Sequence, residues 1–360
     1  MTVTRAETTP AQRFMADALS NRAERLQQRL VKDNVDVFVS TGLLARVWLL
    51  NSSAPGAVLL ADGEARAVSP GELTTELIRR KVRRIAVDDE VSLSTALSWC
   101  AKVGCELVAG GSAFRAARAA KDRIELAVMS HARGIAEHAF KAFEQELRPG
   151  LTELQLAQKF ESAARVAGSD GAYYELSFAA GQRTSRPWAG VTLGEVRPGE
   201  PLLVDAGVWY RRYRCDLTRA YWIPGPRDTD RRRNHERLLR AARSVRDVIL
   251  AELRAGIRVA HVAAVANSAL TPVKDRLNAR MPHVVAHGIG LEVHEEPVVS
   301  HRSQLVLEPG MVLAVEPGLY TAEQGARLEE LVVITDDGWV PLATGTSVVP
   351  DPRREKEGAK

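Results

Sequence analysis

The stretch HVVAHGIGLEVHEEP, residues 283 to 297, holds three of the chain's eight histidines. His283, His287 and His294 stand at spacings of four and seven. Imidazole changes charge close to neutral pH and is the commonest metal ligand. A cluster this dense beside an acidic pair therefore points to a metal or acid–base centre. Gly288 and Gly290 let backbone approach closely or take positive φ beside the histidines. Such histidines need carboxylates to serve, and two candidates lie in apolar segments: Asp205 in LLVDAG and Glu316 in LAVEPG. Acids are usually exposed, and one in a segment expected to be buried needs a compensating partner.

Asp205 and Asp216 flank a segment whose midpoint lies between Tyr210 and Arg211. A hairpin turning there sets the two aspartates opposite each other on one face, about 5 Å apart at Cβ. Like charges so placed are destabilising unless something neutralises them. Glu316 and Glu329, in LAVEPG and ARLEELVV, form a comparable pair. Two divalent cations would cancel the charge of all four carboxylates. Oxygen ligands with one imidazole suit manganese, cobalt, iron or zinc better than a thiolate-loving ion. A pair of metals about 3.5–4 Å apart can bridge a water, lower its pKa and polarise a carbonyl. The implied chemistry is hydrolysis of a C–N bond.

The elements that would position these groups repeat. ELRPGL at 146–151 returns as ELRAGI at 252–257, each leading into a helix, and PGEPLLVDAG at 198–207 returns as PGMVLAVEPG at 309–318. Asp205 and Glu316 become equivalent. Two helix–strand halves of about 100 residues then predict a pseudo-twofold sheet with its site on the axis.

Around this region the chain reads as α/β. A helix over 11–32 is followed by the strand VDVFVS, then AVLLA, helical ELTTELIRRK, RRIAVDD, helical SLSTALSWCAK and CELVA. A small N-terminal domain is expected over 1–114, with no catalytic constellation and a role in covering a site or building an oligomer. A catalytic domain is expected over 115–350 and a polar tail over 351–360. The spacing predicts one long helix from Arg115 to Leu147 and a capping box at Thr152 and Gln155. Strands are expected at 173–180, 201–209, 212–222, 311–316 and 328–335, with helices near 229–253 and 258–277. The chain has 360 residues, 45% hydrophobic, 26% charged, with a net charge of +4. It shows no apolar run of a membrane span's length and no apolar core of a signal peptide near residue 1. Three cysteines without ligand spacing imply reduced thiols in the cytoplasm, with Cys215 a core residue. The run Arg231–Arg233 is expected on a solvated helix face, and no feature of nucleic-acid binding is seen.

With those residues in place, the chain resembles the pita-bread metallopeptidases. That family includes aminopeptidase P, prolidase and methionine aminopeptidase, with creatinase and ectoine hydrolase as relatives. The likeness spans roughly residues 115 to 345. AAKDRIELAVMSHARGIAEHAF, RPGLTE, VDAG…CDLTRAY, HGIGLEVHEEP, VEPGLY and RLEELVVIT occur in the family's order. The resemblance implies five metal ligands, Asp205, Asp216, His287, Glu316 and Glu329, holding two divalent ions, with manganese first and cobalt, zinc or iron as alternatives. It implies that Glu316 also accepts a proton, that Arg327 belongs to the catalytic group, and that His283 and His294 bind substrate and stabilise the intermediate. His283 and the extra N-terminal domain argue for the aminopeptidase P, prolidase and creatinase branch. Two positions depart from the family: Ala286 replaces a glycine, and Trp188 in SRPWAG stands where a substrate-side histidine is usual. The expected function is cleavage of Xaa-Pro bonds, with a small non-peptide amide as the alternative substrate and a binding protein on a retained fold as the third reading. A homodimer is the family habit.

Overall fold

The computed structural model describes residues 9–172, 176–225 and 230–343. The chain divides into two compact units, Met1–Arg118 and Ala119–Lys360. The predicted tail 351–360 lies outside the described residues, as do residues 173–175 of one predicted strand.

The first unit follows α1 (Pro10–Leu30), β1 (Val37–Ser40), α2 (Leu43–Leu50), β2 (Ala57–Ala61), β3 (Glu64–Val68), α3 (Pro70–Arg79), β4 (Arg84–Val87), α4 (Leu93–Val103), β5 (Glu106–Ala109) and α5 (Gly111–Ala119). Its five strands pair in the order β3-β2-β1-β4-β5, with β1, β4 and β5 parallel. Capping boxes start α1 at Thr9 and α3 at Ser69. The core packs Val39, Leu59 and Ile85 of the sheet against Leu73, Leu77 and Trp99 of α3 and α4. The helices and strands expected here are present. The sequence reading did not anticipate α2 and β3.

In the second unit α6 (Arg123–Glu146) and α7 (Glu153–Val166) precede β6 (Gly171–Ala172), β7 (Ser177–Ala180), β8 (Pro201–Tyr210) and β9 (Tyr213–Trp222). Then come α8 (Asp230–Glu252), α9 (Val259–Leu277), β10 (Ala286–Gly288), β11 (Val312–Val315), β12 (Gly318–Tyr320), β13 (Gly325–Arg327), β14 (Glu330–Ile334) and β15 (Trp339–Pro341). The long helix predicted from Arg115 to Leu147 is two helices. Asp122 ends the first path by accepting from the amides of Ile124 and Glu125 at 2.9 and 3.0 Å, while the Glu125 carboxylate returns to the Asp122 amide at 3.0 Å. Such reciprocal caps start helices and do not occur inside them.

The hairpin β8–β9 corrects the expected register. It turns on Arg211 and Arg212, both at positive φ (46° and 70°), so Tyr210 faces Tyr213 and Asp205 faces Thr218. Asp216 lies opposite Gly207 instead. The aspartates are diagonal neighbours on one face, two residues out of the predicted register.

The repeat survives in the backbone. Gly150 and Gly256 share φ of 88° and 83°, and Gly199 and Gly310 share 75° and 88°. β8 runs antiparallel between β7 and β9, as β11 does between β10 and β14. The halves nevertheless form separate hydrogen-bonded sheets, β6-β8-β7 with β9, and β10-β11-β14-β15. A single sheet was expected.

Cys215 is a core residue, 1% exposed, and burial pushes its thiol pKa up. Arg231, Arg232 and Arg233 begin α8 paired with Glu200, Glu236 and Asp230. No helix among the described residues is long and apolar enough to cross a membrane.

A two-residue turn with both φ values positive favours asparagine and glycine. Arginine in the left-handed region costs about 1 kcal/mol. Arg212→Gly should therefore raise the chemical denaturation midpoint, and Arg212→Val should lower it. Equal midpoints in all three proteins would show that the turn stores no strain.

Candidate active site

β8 and β9 carry Asp205 and Asp216, β10 carries His287, and the segments beside β11 and β14 carry Glu316 and Glu329. Glu329 lies between half-buried Leu328 and Glu330, while the apolar neighbours of Asp205, Asp216 and Glu316 are buried on both sides, so these acids are drawn inward with their strands. A cavity of about 1000 Å³ opens over them. Asp205, Asp216, His287, Glu316 and Arg327 line it, and His283, His294 and Trp188 join them. Glu329 does not line the cavity but stands against Asp216 and His287. One ligating atom from each of those three residues lies within 4.8 Å of the others.

This trio fits a cation. Among the described side chains, Asp216 Oδ1 and Glu329 Oε1 are buried oxygens without a hydrogen-bond partner. Buried polar atoms are rarely left so, and an ion is a standard reason. His287 Nδ1 lies 3.0 Å from the Gly288 carbonyl oxygen. Donation there puts the proton on Nδ1 and leaves the Nε2 lone pair facing the acids, the arrangement of a metal-binding histidine. Gly288 is required by close approach, since a side chain would strike the backbone carbonyl of Glu296. Positive φ, the other possibility for this glycine and for Gly290, is not used.

Asp205 and Glu316 flank the trio in a different state. Asp205 Oδ2 accepts from Arg327 Nη2, and Glu316 Oε1 lies 3.6 Å from His287 Nε2. Arg327 is 2% exposed; burial works against its charge, and Asp205, Tyr320 and Glu316 more than restore it. Its Nε donates at 3.0 Å to the Thr218 hydroxyl, which donates on to Glu329 Oε2 at 2.9 Å with Asp205 Oδ1 at 3.3 Å. Arg327 Nη1 also donates to the Tyr320 hydroxyl at 3.2 Å, and that hydroxyl lies 3.1 Å from His283 Nε2. His283 Nδ1 meets the Val284 carbonyl at 2.8 Å, so Nε2 accepts from the tyrosine.

Thr218 and Tyr320 were missed by the sequence reading. Thr218 had a usable signal, being two residues beyond Asp216 on the same strand face. Tyr320 follows Glu316 by four residues and carried none. A buried ion pair, Lys121 Nζ to Glu295 Oε1 at 2.7 Å, was missed as well. It anchors the loop bearing His294, whose ring lies 4.4 Å from that of His287. Trp188 remains at the cavity, 67% exposed and edge-on to His283 at 6.2 Å, so it has not turned into the core.

Electrostatics match a site built for positive charge. Burial, then the neighbouring carboxylates, raises Asp216 and Glu329 well above the usual carboxylate range. Burial raises Glu316 to about 8 and lowers His283 and His287 to about 4. Without a cation, protons must hold these acids neutral.

A buried centre of carboxylates and imidazole, shaped for a cation and open to a substrate-sized cavity, is that of a metal-dependent hydrolase. The signature of metallopeptidase family M24 matches residues 127–336. The chain is 31% identical over 262 residues to the protein named Probable dipeptidase PepE of Mycobacterium tuberculosis, spanning 71% of this chain and 67% of that one. Its fold is similar to an X-Pro aminopeptidase from Thermotoga maritima (TM-score 0.76, 26% identity, 91% of this chain and 98% of that one). It is also similar to a Xaa-Pro dipeptidase from Bacillus anthracis (TM-score 0.81, 22% identity, 92% and 99%). The chain belongs to metallopeptidase family M24, the pita-bread enzymes.

These shifts have a signed consequence. An acid whose folded pKa is raised binds its proton more tightly when folded, so stability falls as pH climbs from the unfolded toward the folded value. The two histidines act oppositely, but only between about 4 and their ordinary value near 6.5. Metal-free protein should therefore lose Tm between about pH 6.5 and 8, where Glu316 still titrates. Divalent cation should reverse the loss, most strongly at the upper end. Thermal melts in chelator and in manganese check this, and a metal-free Tm that stays flat or rises across that window would count against the buried-acid account.

Proposed function

We propose that the protein is a two-metal peptidase that cleaves the bond between any first residue and a following proline. The observation that carries this reading is the meeting of Asp216, His287 and Glu329 under a cavity with Trp188 on its wall. Asp205 and Glu316 complete the ligand set, and manganese is the ion we assign first. The names of relatives support the substrate class, since both solved structures compared above are described as enzymes acting at Xaa-Pro.

Bound divalent ions would supply the charge that polarises the scissile carbonyl and acidifies the attacking water. The chain's own groups do the rest. A Glu316 carboxylate oxygen takes the proton of the attacking water and passes it to the leaving nitrogen. His294 faces the cavity with an exposed ring and donates to the developing oxyanion. His283, held neutral and oriented by Val284 and Tyr320, positions the substrate. Arg327 fixes Asp205 and offsets part of the carboxylate charge. Trp188 offers an apolar face against which a proline ring can stack, and it cannot act as a base because indole has no acceptor.

We further assign the catalytic region to residues 115–350 and give the N-terminal region, 1–114, a part in building a homodimer. Free cysteines support a cytoplasmic setting.

Elemental analysis should find two divalent ions per chain, and chelation should abolish hydrolysis of Xaa-Pro dipeptides. His294→Ala should lower kcat by about 10²–10³ with metal content near two, the usual effect of removing one oxyanion donor. Wild-type kcat in that variant would make His294 structural. Full activity in chelator, with no metal present, would sink the metallopeptidase mechanism. Turnover of small amide metabolites but of no Xaa-Pro dipeptide would assign the site to another substrate.

A further inference from the structure

Trp188, Gly190 and Val191 form one side of the cavity, and all three belong to the segment 181–192 that leaves β7. An indole that is 67% exposed is not held in place by its own packing. Its position is inherited from whatever holds the backbone around it.

That backbone is held from beneath by Glu153, the first residue of α7, which is 1% exposed. Its carboxylate accepts from both ends of the segment. At one end the donors are Ala180 N at 2.8 Å and Arg183 Nε at 3.0 Å. At the other they are Thr192 N at 2.9 Å and Thr192 Oγ1 at 2.6 Å. Arg183 reaches on with Nη2 to the Gly190 carbonyl, and Ser177 donates to the Ala189 carbonyl at 2.6 Å. The two residues that follow Trp188 are thus tied by their carbonyls. A buried carboxylate is tolerated only when its oxygens are filled, and here the donors that fill it are the two ends of the cavity wall. No part of the hydrolytic scheme uses Glu153 or Arg183.

We propose that Glu153 and Arg183 are positioning residues for substrate selectivity. They fix the wall that carries Trp188, and through it set the preference for a flat ring such as proline in the second residue of the substrate. They touch neither substrate nor metal ligands, and no bond or proton changes hands. The substrate named rests on the Xaa-Pro reading above; the staple itself does not.

The test uses full-length, manganese-loaded protein. Arg183→Met removes the guanidinium from a side chain that is 32% exposed, so the fold should tolerate it. Thr192→Val removes one hydroxyl donor and is the milder probe should Arg183→Met prove insoluble. Two readouts are taken: backbone hydrogen exchange over 177–192, and kcat and KM for paired dipeptides with proline or alanine second. Arg183→Met should speed exchange in this segment, raise KM for the proline dipeptide about tenfold and leave kcat within about twofold, the pattern of lost uniform binding. The preference for proline should fall by a similar factor. Adding Trp188→Ala should cause little further loss, because both changes then remove the same wall. Unchanged exchange in both variants would overturn the staple. Faster exchange with an unchanged proline preference, or fully multiplicative effects with Trp188→Ala, would overturn the selectivity role. Inactivity of the unaltered enzyme on every Xaa-Pro dipeptide would defeat the substrate reading alone, since hydrogen exchange needs no substrate and still decides the staple.

Discussion

The guanidinium of Arg327, almost fully buried, donates to Asp205, Thr218 and Tyr320 in the middle of a group of acids that would otherwise repel one another. Two unit charges 4 Å apart interact by about 4 kcal/mol at the effective dielectric of protein sites. One guanidinium can answer one carboxylate, and Asp205 takes it. Asp216, Glu316 and Glu329 are left needing protons or metal, and the raised pKa of each is the same fact in another form. A cation is therefore structural as well as chemical in this fold. The orphaned oxygens of Asp216 and Glu329 mark where the deficit is greatest.

The internal repeat explains how the lone guanidinium arrived there. In the first half Asp205 pairs with Thr218, and two residues on Gly207 pairs with Asp216. In the second half Gly318, two residues beyond Glu316, pairs with Arg327. Arg327 thus stands in its half where Asp216 stands in the other. Two copies of one strand pattern present their first acid alike and differ at the second position, anion in one and cation in the other. A perfectly symmetric pair would have gathered the same charge twice. The difference keeps one side of the centre acidic enough for metal while the other is tied down by the protein itself.

From Arg327 the constraint passes outward. The Tyr320 hydroxyl links it to His283, whose ring meets Trp188 edge-on, and Trp188 sits on a wall held by Glu153. Lys121 and Glu295 form a buried ion pair beside Gly290, where any side chain would strike them, and so hold the loop that bears His294. Buried pairs of this kind contribute little net stability but penalise any other arrangement of their partners. The groups that line the cavity are thereby set on strands and on loops pinned by filled carboxylates.

Much of this was legible in the chain before any fold was known, because the signals are local or periodic. Thr152 with Gln155 marks a helix start, the paired glycines of the two PG turns mark the repeat, and an acid inside LLVDAG or LAVEPG marks a buried charge. His283 and His294 on either side of His287 marked the centre. The tertiary structure decided what has no such signature. The β8–β9 register depends on two arginines taking positive φ, a choice their side chains do not announce and Asp170 supports by accepting from the Arg211 amide. The break at Asp122 looked like the interior of a helix because capping residues are also good surface residues. Thr218, Tyr320 and Glu153 are ordinary polar residues in sequence, and their hydrogen bonds are filled by chain brought from as far as 111 residues away for Thr218, 37 for Tyr320 and 39 for Glu153. The sequence determines which groups must be buried and charged; which of them meet is settled by long-range packing, where each polar group must find its partner at once or remain in water.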